Sequence, residues 1–216
     1  MRFSPNALPT LPLKLMLAVV VTIAMTEAAG FEACGPIENA YGPFDYRTEH
    51  DKLVIVERVH FDSGVENLQR GNTSYLGGDI DYTLRASPNH ARALMAITRL
   101  AQREKTDQPG GAHYTVACYF DRAVRFAPDD PTVRTLFAIY LNKKGRQTDA
   151  ITQLQEAEKH AGDSPNIAYN LGLVYLDLGD FDEALRYAHI AYRAGFPLPG
   201  LRDRLKRAGK WREASP

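Results

Sequence analysis

The sequence predicts an all-α protein: a right-handed helical-repeat solenoid of antiparallel helix pairs, with a non-repeat N-terminal arm and a C-terminal capping helix. Two observations predict it. Residues 131–164 and 165–198 align without a gap, so that Pro131/Pro165, Gly145/Gly179, Asp149/Glu183, Ala150/Ala184 and Ala157/Ala191 each lie 34 apart. A fixed period of this length is the mark of a stacked-repeat architecture, because one helix pair cannot bury its apolar face alone. Apolar residues also recur at helical spacing in both halves of each unit, as at Phe137/Leu171 and Ile151/Leu185.

Within each unit the punctuation is helical. Proline is tolerated in the first turn of a helix, where its missing N–H would be unpaired anyway, so Pro131 and Pro165 open the first helix of a pair. Asp130 and Ser164 precede them as capping residues. Gly145 and Gly179 close the first helix, where a left-handed residue is needed. Ala150 and Ala157, like Ala184 and Ala191, lie seven apart on one face of the second helix and let it approach its neighbour closely.

Upstream, Pro88 to Arg103 reads as the first helix of another pair, with Ala91, Leu94, Met95, Ile97 and Leu100 apolar, and Phe120, Ala123 and Pro128 belong to its second helix. From Pro88 to Pro131 is 43 residues, and the excess over the period falls in 103–112, a charged Pro/Gly-rich stretch expected to be a mobile surface loop. A degenerate unit precedes it over 62–87: Ser63-x-x-Glu66 is a capping box opening a short helix, and Asp79 to Ala86 is its second helix. Residues 199–216 read as a terminal cap, with Leu201, Leu205 and Ala208 on one side and a net charge of +4 on the other. A polar outer face of that kind prevents end-to-end stacking.

Residues 31–61 do not follow the period. They contain Gly-Pro twice, and Tyr41, Phe44 and Tyr46, which are expected to dock on the repeat body. Residues 1–30 read as an export signal, with Arg2 and Lys14 before an apolar run from Leu15 to Met25 and then small residues. Cleavage is expected near residues 28–30, giving a periplasmic or secreted chain with no membrane span; a retained signal anchor is the alternative.

Lys+Arg 26 balances Asp+Glu 26, which argues against a basic nucleic-acid binder and an acidic tail. Two cysteines exclude a disulfide-dense scaffold and a four-cysteine zinc module. In an oxidising compartment an even count favours pairing. Cys118 lies off the stripe of Ala117, Phe120, Val124 and Ala127, so a Cys34–Cys118 bridge is expected to pin the arm. No nucleophile elbow, zincin helix, Walker loop or dinucleotide fingerprint occurs. None of the six histidines pairs with another at i, i+4, so no catalytic residue, metal or cofactor is expected. Gly77-Gly78 and Gly110-Gly111 read as turn signals, and Asn72-Thr73-Ser74 matches a glycosylation sequon by pattern.

The 165–198 unit resembles the tetratricopeptide repeat family, with Leu171-Gly172, Tyr175, Gly179, Phe181, Ala184 and Ala191 at the family's positions, as in exported bacterial-type members. The 131–164 unit is looser, with Ala138 and Leu141 at the Gly and Tyr positions. In that family the second, fifth, ninth, twelfth and thirteenth positions face a concave groove. The resemblance therefore implies a protein-binding groove of Thr132, Thr135, Ile139, Asn142 and Lys143, then Asn166, Tyr169, Leu173, Leu176 and Asp177, with Asn170 beside Tyr169 placed to grip a peptide backbone. The subgroup that clamps a terminal carboxylate carries Lys and Asn at the fifth and ninth positions. Thr135 and Ile139 stand there, so that activity is not expected. The implied function is an exported, non-enzymatic adaptor or assembly factor binding a peptide or protein in the cell envelope. The alternatives are a non-catalytic accessory subunit of an envelope enzyme and, least favoured, a hydrolase using the arm and the 103–112 loop.

Overall fold

The computed structural model describes Met1, 34–161 and 164–213. The expected export signal and its cleavage region lie outside the described residues. The chain divides into two units, Met1–Ala33 and Cys34–Pro216, and all helices described below belong to the second.

Every regular element among the described residues is helical: α1 (His50–His60), α2 (Ser63–Glu66), α3 (Leu76–Ala86), α4 (Ala91–Glu104), α5 (Val116–Phe126), α6 (Pro131–Lys143), α7 (Gln147–Ala161), α8 (Pro165–Asp177), α9 (Phe181–Arg193) and α10 (Gly200–Arg207). The tightest partners are α6 with α7 and α8 with α9, and α6 also packs on α8. Ala150, Ala157, Ala184 and Ala191 are fully buried at these contacts. On α8 a Cβ at Gly172 would crowd Leu201 Cδ2 at 2.5 Å and the Ala184 carbonyl at 3.3 Å, so a larger residue here would displace the Leu201 side chain.

The 34-residue identity extends to hydrogen bonds. Asp130 accepts from the N–H groups of Thr132 (2.9 Å) and Val133 (3.2 Å), and the Ser164 hydroxyl accepts from Ile167 N–H (3.4 Å). Pro131 and Pro165 are the first helical residues behind those caps. At the other end Gly145 (φ +74°) and Gly179 (φ +79°) take the left-handed conformation. Arg146 N–H then reaches Leu141 O, and Asp180 N–H reaches Tyr175 O, each at 2.9 Å. This pattern occupies carbonyls that the helix leaves free.

The earlier units depart from expectation in instructive ways. Helix α4 starts at Ala91, not Pro88, because the His90 ring nitrogen Nδ1 caps it by accepting from Ala93 N–H at 3.2 Å. His90 N–H bonds Ser87 O at 3.1 Å just as Asp130 N–H bonds Ala127 O at 3.1 Å. Pro88 thus matches Pro128, and Ala91 matches Pro131. The cap of α2 is Asp62, accepting from Val65 N–H at 3.0 Å, rather than Ser63. Helix α10 stops at Arg207, leaving Ala208 exposed, while Leu201 and Leu205 are buried.

The 103–112 stretch lies at the surface, with anchor points on the body. Helix α4 runs into it as far as Glu104, whose carboxylate accepts from Gly110 N–H at 2.9 Å. Pro109 and Ala112 are buried. Gly77 and Gly78 lie in the first turn of α3 rather than in a turn between elements, and a Cβ on Gly77 would overlap the Gly110 carbonyl. A Cβ on Gly111 would sit 2.9 Å from Gly78 N. The two glycine pairs allow the loop backbone to lie directly on α3.

The arm contains helix α1, which carries no clear helical period in the sequence. Leu53 and Val56 are buried with Ala86, against Phe44, Tyr46 and Tyr82, whereas Val54 and Ile55 are exposed. Apolar residues on both faces hide the helical period; packing on α3 reveals it. Phe44 N–H bonds Ala86 O at 2.9 Å. Buried Asn89 accepts from Tyr46 N–H (3.0 Å) and donates to Asp45 Oδ1 (2.8 Å) and Asp130 Oδ2 (3.2 Å), joining the arm to the start of α6. Cys34 and Cys118 are bonded, with Cα atoms 5.1 Å apart. Beside them Arg122 donates to the carbonyls of Cys34 (3.2 Å) and Pro36, and Arg125 donates to Gly35 O at 3.0 Å.

Two outcomes are expected. Gly77→Ala forces backbone apart and should lower unfolding free energy by about 1–3 kcal/mol in a denaturant titration, the range for overpacking; an unchanged midpoint would contradict the backbone contact. Burial pushes the His90 imidazole from its ordinary 6.5 down to about 4, against the Glu57 carboxylate 2.9 Å from Nε2. Between those values the unfolded chain binds the extra proton. This stabilisation is therefore present above pH 6.5 and is lost as pH falls towards 4, by about 3 kcal/mol in all. The slope of stability against pH in that window should flatten in His90→Gln.

Candidate functional site

Helices α4, α6 and α8, the first helices of three successive pairs, line a groove with a cavity volume of about 500 Å³. Its floor is aromatic. Phe120 stacks on Phe137 with centroids 5.1 Å apart and faces Tyr140 at 5.4 Å, and burial raises the Tyr140 phenol above its usual range. Apolar walls come from Met95, Leu136, Ile139 and Ile167. A second depression, about 470 Å³, shares Thr98, Gln102, Tyr140 and Lys143 with the first and continues towards Lys105 and Lys144.

Six of the eleven residues expected in the groove line it: Thr132, Thr135, Ile139, Lys143, Asn166 and Asn170. Thr135 is nearly buried and spends its hydroxyl on Pro131 O at 2.7 Å. Asn170 donates through Nδ2 to Asn166 O (2.9 Å) and Oδ1 (3.1 Å), which leaves its own carbonyl oxygen open to a ligand. Asn142, Tyr169, Leu173, Leu176 and Asp177 lie outside this groove. Tyr169 is buried against Phe196 at 4.3 Å between centroids, and Leu176 is also buried. Asn142 donates to Asp177 at 3.4 Å, and Asp177 pairs with Arg204.

Helix α4 supplies Met95, Thr98, Arg99 and Gln102, none of which was expected. The groove positions on this helix depend on where it starts. Counted from Ala91, the fifth, ninth and twelfth positions are Met95, Arg99 and Gln102; counted from Pro88, these positions fall on Arg92, Ala96 and Arg99. Only the capping geometry at His90 shows which count applies.

Two buried carboxylates on α3 grip histidines elsewhere. Asp79 Oδ1 lies 3.0 Å from His60 Nδ1, and Thr73 Oγ1 lies 3.1 Å from that same nitrogen. A hydroxyl and a carboxylate on one ring nitrogen do not form a proton relay, which needs one on each side of the ring. Burial raises the Asp79 carboxyl, but the hydrogen bonds from Thr73, His60 and the Asn72 N–H outweigh it and hold the group below its usual value. Asp81 accepts from Tyr119 OH (2.5 Å) and Arg85 (2.9 Å) and contacts His113 Nδ1 (2.7 Å). These clusters tie loops to α3. The Thr73 hydroxyl of the sequon is engaged with Asp79. Among the described residues no group of three or more His, Cys, Asp or Glu is placed to hold a metal, and no helix is long and apolar enough to cross a membrane.

No family model matches the chain. It is similar to the TPR repeat-containing thioredoxin TTL4 of Arabidopsis thaliana, with 26% identity over 128 residues, which is 56% of this chain and 18% of that protein. The chain thus corresponds to less than a fifth of that relative's length. The all-helical architecture is compatible with a TPR-like helical-repeat fold.

Because the open groove side chains carry little of the core, Met95→Gln and Asn170→Ala should each leave the thermal transition close to that of the parent, within about 1 kcal/mol. Loss of cooperative unfolding in either would make these residues part of the core rather than of a binding surface.

Proposed function

We propose that the protein is an exported adaptor that holds a segment of a partner protein in the groove between α4, α6 and α8. One observation carries this reading: successive first helices present apolar side chains together with Asn170, whose amide oxygen is unengaged. Apolar pockets give a bound segment affinity, and amides that bond its backbone fix its orientation. Four stacked units (62–87, 91–130, 131–164 and 165–198) with a cap over 199–216 form a right-handed superhelix in this reading. The second unit starts at 91 rather than 88 because of the cap on α4.

Export is supported by the pattern of residues 1–30 and by the bonded Cys34–Cys118 pair, since structural disulfides persist in oxidising compartments. The partner is then an envelope or extracellular protein.

A photo-crosslinking residue at Asn170, compared with one at Gln155 on the exposed side of α7, tests the groove in intact cells. Discrete higher-mass adducts are expected from position 170 and none from 155; equal yields from both would remove the groove from consideration. Amino-terminal sequencing of the recovered protein should begin within a few residues of Gly30, and a start at Met1 in the cytoplasmic fraction would end the export proposal.

A further inference from the structure

The groove is not electrically neutral, although the whole chain is. Among the described residues no carboxylate lines the larger cavity. At the end where the two depressions join, Lys143 and Lys105 have no partner for their ammonium groups among the described residues. Arg99 donates to the Glu66 backbone carbonyl at 2.7 Å, and its charge is shared with Arg92 over the single Glu66 carboxylate. Among the described residues Asp107 is the one acid lining this mouth, and Lys144 already engages it. Lys143 ends α6 and Lys105 caps the end of α4, where cations oppose the helix dipole. Each helix end supplies roughly half a negative charge. Two ends offset about one of the two unpaired lysine charges, so a positive surplus remains beside the apolar walls of Met95 and Ile139.

Resting on the adaptor reading above, we propose that the partner segment is amphipathic and acidic: an apolar side chain seated between Met95 and Ile139, followed by carboxylate side chains over Lys143, Lys105 and Arg99. Its Asp or Glu residues supply the charge that the groove lacks. A terminal carboxylate is not required, because the cations are spread along the mouth rather than gathered at one point. A nucleic acid fits less well. Base stacking needs open aromatic faces, and both aromatic residues lining the groove, Phe120 and Tyr140, are buried to 8% exposure or less.

The test is selection of a random ten-residue peptide library on the immobilised, disulfide-bonded chain, followed by fluorescence anisotropy of the enriched peptides. Enriched sequences are expected to pair an apolar residue with Asp or Glu and to lack Lys and Arg. Changing those acids to Asn and Gln should weaken binding about threefold or more per charge, and added salt should weaken it further. The double variant Lys143→Glu, Lys105→Glu should enrich basic peptides instead. Both lysines are exposed, and circular dichroism checks that the variant is folded. Enrichment that is lost in Met95→Gln but shows no acid preference overturns the charge inference and leaves the adaptor reading intact. No enrichment at all, or binding indifferent to both Met95→Gln and Asn170→Ala, overturns the two together. Displacement of an enriched peptide by a single-stranded oligonucleotide in preference to an acidic peptide would assign the cations to phosphate and overturn the proposal.

Discussion

Two helices can lie side by side at the closest distance only where neither interposes a large side chain. That constraint underlies the whole packed unit. Ala150 and Ala157 set the spacing of α6 and α7, and Ala184, Ala191 and Gly172 set that of α8 and α9. The same requirement reappears in harsher form at Gly77 and Gly111, where a helix turn and a loop meet backbone to backbone. Close pairing brings the larger residues of each helix, such as Leu141, Leu154, Leu171 and Tyr187, into one continuous core rather than several small ones.

The arm is held by polar chemistry more than by apolar area. Its own cluster is small, built on Leu53, Val56 and Ala86. Around it, buried Asn89 and Arg122 satisfy backbone groups that would otherwise be stranded away from water. Arg122 is nearly inaccessible, lies 4.5 Å from the centre of the Tyr114 ring and leaves Nε unpaired, so its burial costs solvation that the carbonyls of Cys34 and Pro36 only partly return. The adjacent covalent bridge removes the option of the arm drifting off when that balance is marginal. Specific attachment of the arm, rather than strength, is what this arrangement provides.

The groove follows from the stacking without being encoded in a motif. Successive first helices place their non-core faces side by side, and whatever those faces carry becomes the lining. Here they carry Met95, Ile139 and Asn170 along the walls and unpaired cations at one end. A three-residue shift in where α4 begins decides which of its side chains take part.

Read alone, the sequence determined the all-helical class, the 34-residue spacing of caps and glycine stops over 131–198, and the cysteine pairing, because each rests on local rules: proline tolerance at a helix start, left-handed glycine at its end, and two thiols with no other partner. Tertiary structure decided the rest. Helix α1 is helical because Leu53 and Val56 have Ala86 to pack on, although Val54 and Ile55 blur its period. Helix α4 starts at Ala91 because a histidine, rarely read as a cap, bonds Ala93 N–H. Gly77 and Gly110 read as turns along the chain, but they are contact points between segments far apart in sequence. The groove shares that origin: its residues come from three helices, and only their packing makes Met95, Ile139 and Asn170 neighbours.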